Sequence, residues 1–448
     1  MLACRGKFSA TSRATNRWFV AGRNFQGRDW PFTMITINSD RLWSRLETLS
    51  RFTDPAKPWT RRAFDAQFAR GRAWLAEEFK AAGLSVEVDA GGNLIGSTAG
   101  TGRGLGALVA GSHSDTVPAG GRFDGMLGLL AALEAAQSMR EQKISLMHPI
   151  QVVDFLAEEP SDFGISCIGS RSWAGVLTAS DLARTLPSNV TLASAIDSAG
   201  GRADRLGKAI RTQDSVSAYV ELHIEQGLVL TERRTEIGVV TAIVGIRRHE
   251  VTVEGRADHA GTTPMSLRHD ALVGAAGFIR AVEDLARLRP AESPYLVATV
   301  GKLTVEPNAV NAVPGSVTMV LETRSTDEAA LLQFERDLWR RIEADLQDRG
   351  LLLTRSLLSQ TLPTACSPLI QNTIEEASMM AGFRSTRLPS GAGHDGVFVA
   401  RLAPMGMIFV PCREGRSHAP EEWAEPGDCA NGARVLAETL ILLDKHLA

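Results

Sequence analysis

Apolar residues recur at helical spacing across 40–49 and again across 66–82, where Gly83 supplies a stop. Leu84–Val88 and Asn93–Ser97 then read as short strands around the turn Ala90-Gly91-Gly92. The apolar run Leu105–Val109 predicts a strand, a Gly-rich loop follows, and Leu127–Met139 predicts a helix. Pro149–Ala157 reads as a buried strand that ends in Glu158-Glu159-Pro160, and Ser217–Leu222 as another that ends in His223-Ile224-Glu225-Gln226-Gly227. Residues 176–215, between them, look helical and polar, like an insertion. The pattern then changes. Val239–Val244 and His249–Glu254 read as antiparallel strands, Ala271–Leu285 as a helix, Tyr295–Leu303 and Gly315–Thr323 as strands, and Glu328–Leu346 as an amphipathic helix. This β-β-α-β-β-α run predicts a small α+β unit inserted into a larger α/β one. From about Leu352 the first character returns. Helix 367–381, a Gly-rich loop at 390–395, strand Met405–Val410, the segment Ser417–Glu422 and a last helix, Cys429–Leu447, complete the chain. The division expected is therefore 1–33, 34–238, 239–351 and 352–448.

A chain of 448 residues is too long for one core, in keeping with that division. Net charge is −3 with a pI near 6.3, which leaves no electrostatic footprint for nucleic acid or an anionic membrane. No apolar run approaches the roughly 18 residues a bilayer span needs. Five cysteines (Cys4, Cys167, Cys366, Cys412, Cys429) are scattered without a C-x-x-C pair, which argues for a reducing, cytoplasmic setting and against a thiolate metal site. Residues 1–33 carry six Lys/Arg and one acid, Asp29, with no periodicity. A disordered tail, or a start placed ahead of Met34, is the expectation over a transit peptide.

Candidate chemistry gathers where predicted strands end. The stretch Ala110–Gly128 holds His113, Asp115 and Asp124 among five glycines, and by itself would also suit an ordinary turn with capping aspartates. Two further strands end in Glu158-Glu159 and in His223, and His418 follows a fourth. A parallel sheet delivers side chains to one edge in this way. His113, Asp124, Glu159, His223 and His418 form a nitrogen and oxygen set without sulfur, too large for one tetrahedral ion. It suits two divalent ions sharing a carboxylate, with Asp124 as the bridge. Such a pair activates water and polarises a carbonyl. Asp115 is placed to accept the second N–H of His113 and fix its tautomer. In the Glu158–Glu159 doublet, one residue can ligate while the other acts as general base and acid.

The series G-S-H-S-D-T-V, G-G-R-F-D-G, A-E-E-P, G-S-R, E-L-H-I-E-Q-G, H-A-G-T-T-P-M, S-G-A-G-H-D-G and S-H-A-P-E-E resembles the hydantoinase/carbamoylase group of dinuclear zinc-peptidase-like amidases, from about residue 38 to the end. That group comprises N-carbamoyl-L-amino acid hydrolases, β-ureidopropionases and allantoate amidohydrolases. The resemblance implies an α/β, zinc-peptidase-like catalytic domain with a mixed sheet flanked by helices, plus an inserted α+β lid and dimerisation domain. It implies two divalent ions, zinc first and manganese, cobalt or nickel as alternatives. His113 and His223 would share one ion, Glu159 and His418 the other, Asp124 would bridge, and Glu158 would be the base. It also assigns substrate contacts to Gln226, Asn311, Arg324, Gly391, Ala392, Gly393 and His394. His259 would stabilise the oxyanion from the partner subunit of a homodimer. The reaction implied is hydrolysis of a linear C–N bond in an N-carbamoyl (ureido) acid through a metal-bridged water. An N-acyl amino acid hydrolase or dipeptidase on the same scaffold is the alternative, and a metal-free binding protein the more distant one. The chain departs from the group at Pro160-Ser161-Asp162-Phe163-Gly164, where better-known members carry Gly and an Arg-Phe pair, so the adjoining pocket wall is expected to differ.

Overall fold

Four strands that are apolar on both faces lie parallel at the centre of the larger sheet. Ile150–Phe155, Ala107–His113, Val216–Ile224 and Met405–Val410 are neighbours in that order, and nearly every residue in them is buried. Parallel strands covered on both faces read as continuous apolar runs, which is how their sequences read. The computed structural model describes residues 34–289 and 295–448, and Ile35–Ala448 form one compact unit. The basic extension 1–33, with the disorder expected of it, and Cys4 lie outside the described residues.

The sheet has nine strands. Ser85–Val88 and Leu94–Ser97 close one side as an antiparallel hairpin beside Ile150–Phe155. On the other side Ile237–Ile243 runs antiparallel to Met405–Val410 and is flanked by Thr364–Ala365 and Ser385–Ser390. One face carries the helices Ser39–Ser50, Met126–Glu141, Pro368–Met380 and Pro426–Leu447. The other carries the short helices Ile168–Trp173 and Gly396–Val399 over a core that includes Trp173, Phe155 and Tyr219. Helix Met126–Glu141 is buried from Met126 to Met139, because the sheet lies on one side of it and Pro426–Leu447 on another. The fold is thus α/β with a mixed sheet flanked by helices.

A second sheet is wholly antiparallel, in the order Leu352–Thr361, Gly245–Glu254, Ser316–Ser325, Leu296–Glu306. Helices Ala271–Arg287 and Glu328–Asp348 cover one face, around Phe278, Phe334 and Leu338. Strand Ser316–Ser325 alternates buried and half-buried positions throughout, the signature of a sheet covered on one side.

The boundaries of this smaller unit differ from those expected at 239 and 352. The strand expected at Val239–Val244 is observed as Ile237–Ile243 and belongs to the large sheet, so the change comes at Gly245. Leu352–Thr361, read as a return to the large unit, is the edge strand of the small sheet, paired from Leu352↔Glu254 to Thr361↔Ile246. Strand periodicity reports that a segment is extended but not which sheet accepts its hydrogen bonds. This strand is exposed over most of its length, so no apolar stripe marked it. The stretch 176–215 holds short helical turns, Ala179–Leu182, Leu192–Ser198, Ala203–Lys208 and Gln213–Ser215, and one isolated bridge between Thr185 and Thr191.

Leu133, fully buried in the middle of Met126–Glu141, should be among the least replaceable core side chains. Leu133→Ala is expected to destabilise by about 2–5 kcal/mol. Leu369→Ala, at a surface position, should shift stability by no more than ~0.5 kcal/mol. Urea midpoints of the two variants measure the difference.

Candidate metal centre and its cleft

The C-terminal ends of the four parallel strands bring the candidate residues to one edge. His113 is the last residue of Ala107–His113, and His223 the penultimate residue of Val216–Ile224. Glu158 and Glu159 follow Ile150–Phe155, and His418 lies in the irregular segment after Met405–Val410. Asp124 precedes Gly125, whose φ of +69° turns the chain into helix Met126–Glu141. A Cβ at Gly125 would sit 2.4 Å from the His113 ring, so glycine alone lets that imidazole lie against the loop.

Asp124 faces both ways. Its Oδ1 lies 3.4 Å from His113 Nε2 and 3.1 Å from His223 Nε2, while its Oδ2 lies 3.3 Å from His418 Nε2. His418 Nε2 is also 3.3 Å from Glu159 Oε1. The donors therefore fall into two groups, His113–Asp124–His223 and Asp124–Glu159–His418, each compact enough for one ion. Their chemistry fits divalent metals. All donors are nitrogen or oxygen, and the second ring nitrogens of His113 and His223 are engaged by the backbone oxygens of Asp115 (3.0 Å) and Ile224 (2.9 Å). Those contacts turn each Nε2 toward Asp124. A third combination, Glu221–His223–His394, is geometrically close, but its members are committed elsewhere. Glu221 accepts hydrogen bonds from Ser112 and Tyr219, and His394 Nε2 lies 2.8 Å from Ser390 Oγ.

Asp115 differs from expectation. Its carboxylate stands 3.6 Å from His113 Nδ1, beyond hydrogen-bond range, and it is the backbone carbonyl that meets the ring. The carboxylate instead accepts the N–H groups of Glu158 (3.2 Å) and Glu159 (3.1 Å), and so holds the peptide of the glutamate doublet. Sequence spacing cannot distinguish these, because side chain and carbonyl of one residue lie equally near its neighbour.

Burial and charge dominate the electrostatics. Burial raises the Glu158 carboxyl well above its usual range, and the charges of Asp395 and Glu159 add to this, against His113. Burial likewise raises Glu159. Asp124 is buried too, yet His223, His113 and His418 together hold it well below the ordinary carboxylate range. Hydrogen bonds to Asp124 and Glu159 raise His418 to about 11. Ala157, Cys167, Gln226 and His418 are among the residues of the surrounding loops that adopt left-handed backbone without being glycine, at φ between +53° and +58°. Such strain concentrates where loops must present side chains in a set direction.

A cleft of about 470 Å³ opens over this centre. Glu158, Glu159 and Gln226 line it from the large sheet, Arg248 and Arg324 from the small one. Gln226 donates to Asp124 Oδ2 at 2.6 Å. Arg324 donates to the carbonyl of Gly391 (2.6 Å) and to Glu322, which also pairs Arg248. Ala392, Gly393 and His394 reach the cleft wall, whereas Gly391 acts through that carbonyl. His259 and Asn311 do not line the cleft. Both are exposed, in the short pairing where His259 lies opposite Ala312 and the Asn311 carbonyl accepts the N–H of Ala260. The cleft also contains three arginines that motif reading passed over: Arg171, Arg184 and Arg248. Arg171 stands in the quoted G-S-R motif, so its signal was present; Arg184, in the polar insertion, gave none. In the divergent stretch, Pro160 and Gly164 line the cleft, while Asp162 turns outward to Arg62 (2.6 Å).

Comparison with known proteins gives the family. The description Peptidase family M20/M25/M40 matches residues 109–442. The chain is 41% identical over 405 residues to an N-carbamoyl-L-amino acid amidohydrolase of Geobacillus stearothermophilus, covering 90% of this chain and 98% of that one. It is 36% identical to a ureidoglycolate hydrolase of Oryza sativa, covering 90% and 84%. A crystal structure of a hydantoinase/carbamoylase family amidase from Burkholderia multivorans superposes with a TM-score of 0.83 at 34% identity, covering 91% and 98%. With its fold, its ordered motifs and its nearly full-length relatives in agreement, the chain belongs to peptidase family M20/M25/M40, among the hydantoinase/carbamoylase-type amidases.

Proposed function

We propose that the protein is a two-metal amidohydrolase that cleaves a linear C–N bond of an N-carbamoyl (ureido) amino acid or a related carboxylate-bearing substrate. The observation that carries this reading is the division of Asp124 between two donor groups, with Glu158 Oε2 3.6 Å from His113 Nε2 at the floor of an arginine-walled cleft. His113, Asp124 and His223 would hold one divalent ion and Asp124, Glu159 and His418 the other, zinc first among the candidates. Such ions, when bound, polarise a carbonyl oxygen and lower the pKa of water. Glu158 ligates neither ion in this scheme. It takes a proton from the attacking water and returns it to the leaving nitrogen, a transfer suited to a carboxyl whose pKa burial has raised. The products are the free amino acid, ammonia and carbon dioxide.

Arg324 would grip the substrate carboxylate, since a planar guanidinium matches that group in two hydrogen bonds. Gln226, at the rim of Asp124, and the wall at Ala392–His394 would orient the ureido group. His259 and Asn311 are exposed and lie outside the cleft of their own chain, which supports a homodimer in which they complete the site of the partner. In that arrangement the smaller unit is a lid and dimerisation domain.

The decisive experiment is a substrate panel. Metal-loaded protein is expected to release ammonia from at least one N-carbamoyl amino acid, β-ureidopropionate or allantoate, to lose activity to a chelator, and to regain it with added metal. Free amine from N-acyl amino acids or dipeptides alone would keep the scaffold and overturn the ureido reading. Glu158→Gln should keep both ions by elemental analysis while turnover falls at least ~10²-fold; loss of metal would mean the two glutamates have exchanged roles. For the dimer, His259→Ala and Glu158→Gln chains, each inactive alone, should regain activity when mixed under exchange conditions. The hybrid then holds one intact site; no recovery would place His259 in its own chain's site.

A further inference from the structure

Of the five proposed ligands, His418 is held least by burial. Its side chain is 48% exposed, against 9% or less for the other four, and it stands at φ +56° in a segment without regular structure. Something other than packing must fix it. Four residues further on, Glu422 is 1% exposed and turned back into the site. Its Oε1 accepts three consecutive backbone N–H groups, of Arg122 (2.9 Å), Phe123 (2.7 Å) and Asp124 (3.1 Å). Its Oε2 accepts the hydroxyl of Ser417 at 2.7 Å, the residue before His418. Three converging amides form a cradle for an anion, and a carboxylate gains most from such bonds.

The surrounding sequence is shaped to admit this carboxylate. Gly121 has φ +128°, and a Cβ there would lie 2.3–2.6 Å from the Glu422 carboxyl atoms. Only glycine leaves the amides open to it. Beside it, the Arg122 guanidinium is stacked between Trp59 (4.7 Å) and Trp423 (4.6 Å), and Trp423 meets Phe123 edge to face at 5.6 Å. The two segments are therefore joined at a polar contact and at an aromatic one.

We propose that Glu422 is a positioning residue that fastens the Asp124 loop to the His418 segment, and so sets the affinity of the Asp124–Glu159–His418 ion more than that of the other. The proposal rests on the two-metal reading above. It follows from what else holds each group. His113 and His223 sit on buried strands and keep their directions without Glu422, whereas His418 and Ser417 have no strand beneath them.

The test is metal binding itself, by elemental analysis after dialysis and by competition with a chromophoric chelator, using zinc. Wild type should retain two ions per chain. Glu422→Ala should retain one tightly and bind the second about 10- to 100-fold more weakly, the usual effect of removing a partner that orients a ligand. Glu422→Gln keeps an acceptor for the three amides and should hold the second ion within a few-fold of wild type. Glu421→Gln, at the exposed neighbour, should change nothing. Melting of the metal-free proteins identifies a variant that fails to fold, in which case the Gln variant carries the comparison. Two ions of undiminished affinity in Glu422→Ala would overturn the proposal alone. An equal loss in Glu422→Gln would also overturn it, since charge rather than fastening would then be responsible. A wild type that binds fewer than two ions would overturn the two-metal reading, and this proposal with it.

Discussion

The constraint on which the structure turns is a concentration of buried acid. Asp115, Asp124, Glu158, Glu159 and Asp395 converge at one sheet edge, each with no more than 8% of its surface exposed. Carboxylates so placed lose their hydration and repel one another, a combination tolerated only where hydrogen bonds and positive charge replace the water. The protein supplies part of this. Asp115 takes two backbone amides, Asp395 takes the Ser170 hydroxyl, and Asp124 takes imidazoles on both oxygens. The raised positions of Glu158, Glu159 and Asp395 show that the compensation within the chain is incomplete. In the proposed two-metal centre, divalent cations would supply the remainder.

Placing so many like charges together requires a backbone that does not yield. Four buried parallel strands provide it, with residues entering the site from the end of each. Where the strands stop, the chain takes unusual conformations in short steps: left-handed backbone at Ala157, Gln226 and His418, and a glycine against the His113 ring. Rigidity in the sheet and strain in the loops are two parts of one arrangement, since strain persists only on a scaffold that over-determines it.

The cleft needs the second sheet as well. Arg248 and Arg324 come from neighbouring strands of the small sheet, at Arg248↔Glu322 and Arg324↔Ile246, and they share Glu322. Alternation along these strands carries both guanidiniums to the side opposite the helix-covered core. One sheet thus provides the acidic floor and the other a basic wall, joined through Arg324 and the Gly391 carbonyl, while Arg171 and Arg184 add positive charge from the larger unit.

Much of this was legible in one dimension. Long buried strands and helices announce themselves by apolar runs and spacing, because burial on two faces leaves few polar positions; Ile150–Phe155 and Met126–Glu141 are of that kind. The candidate donors were legible because a parallel sheet converts the order of strand ends into a place in space. Sheet membership was not. Val239–Val244 reads as a strand and Leu352–Thr361, largely exposed, carries no stripe at all, and which neighbour receives their hydrogen bonds is decided by segments distant in the sequence. Nor could the sequence say that the Asp115 carboxylate would turn from His113 to the glutamate amides, or that Glu422 would reach back about three hundred residues to Asp124. Local residue types determined the fold class and the chemistry available. The tertiary structure decided which oxygen faces which nitrogen, because hydrogen-bond direction depends on where distant backbone amides come to rest.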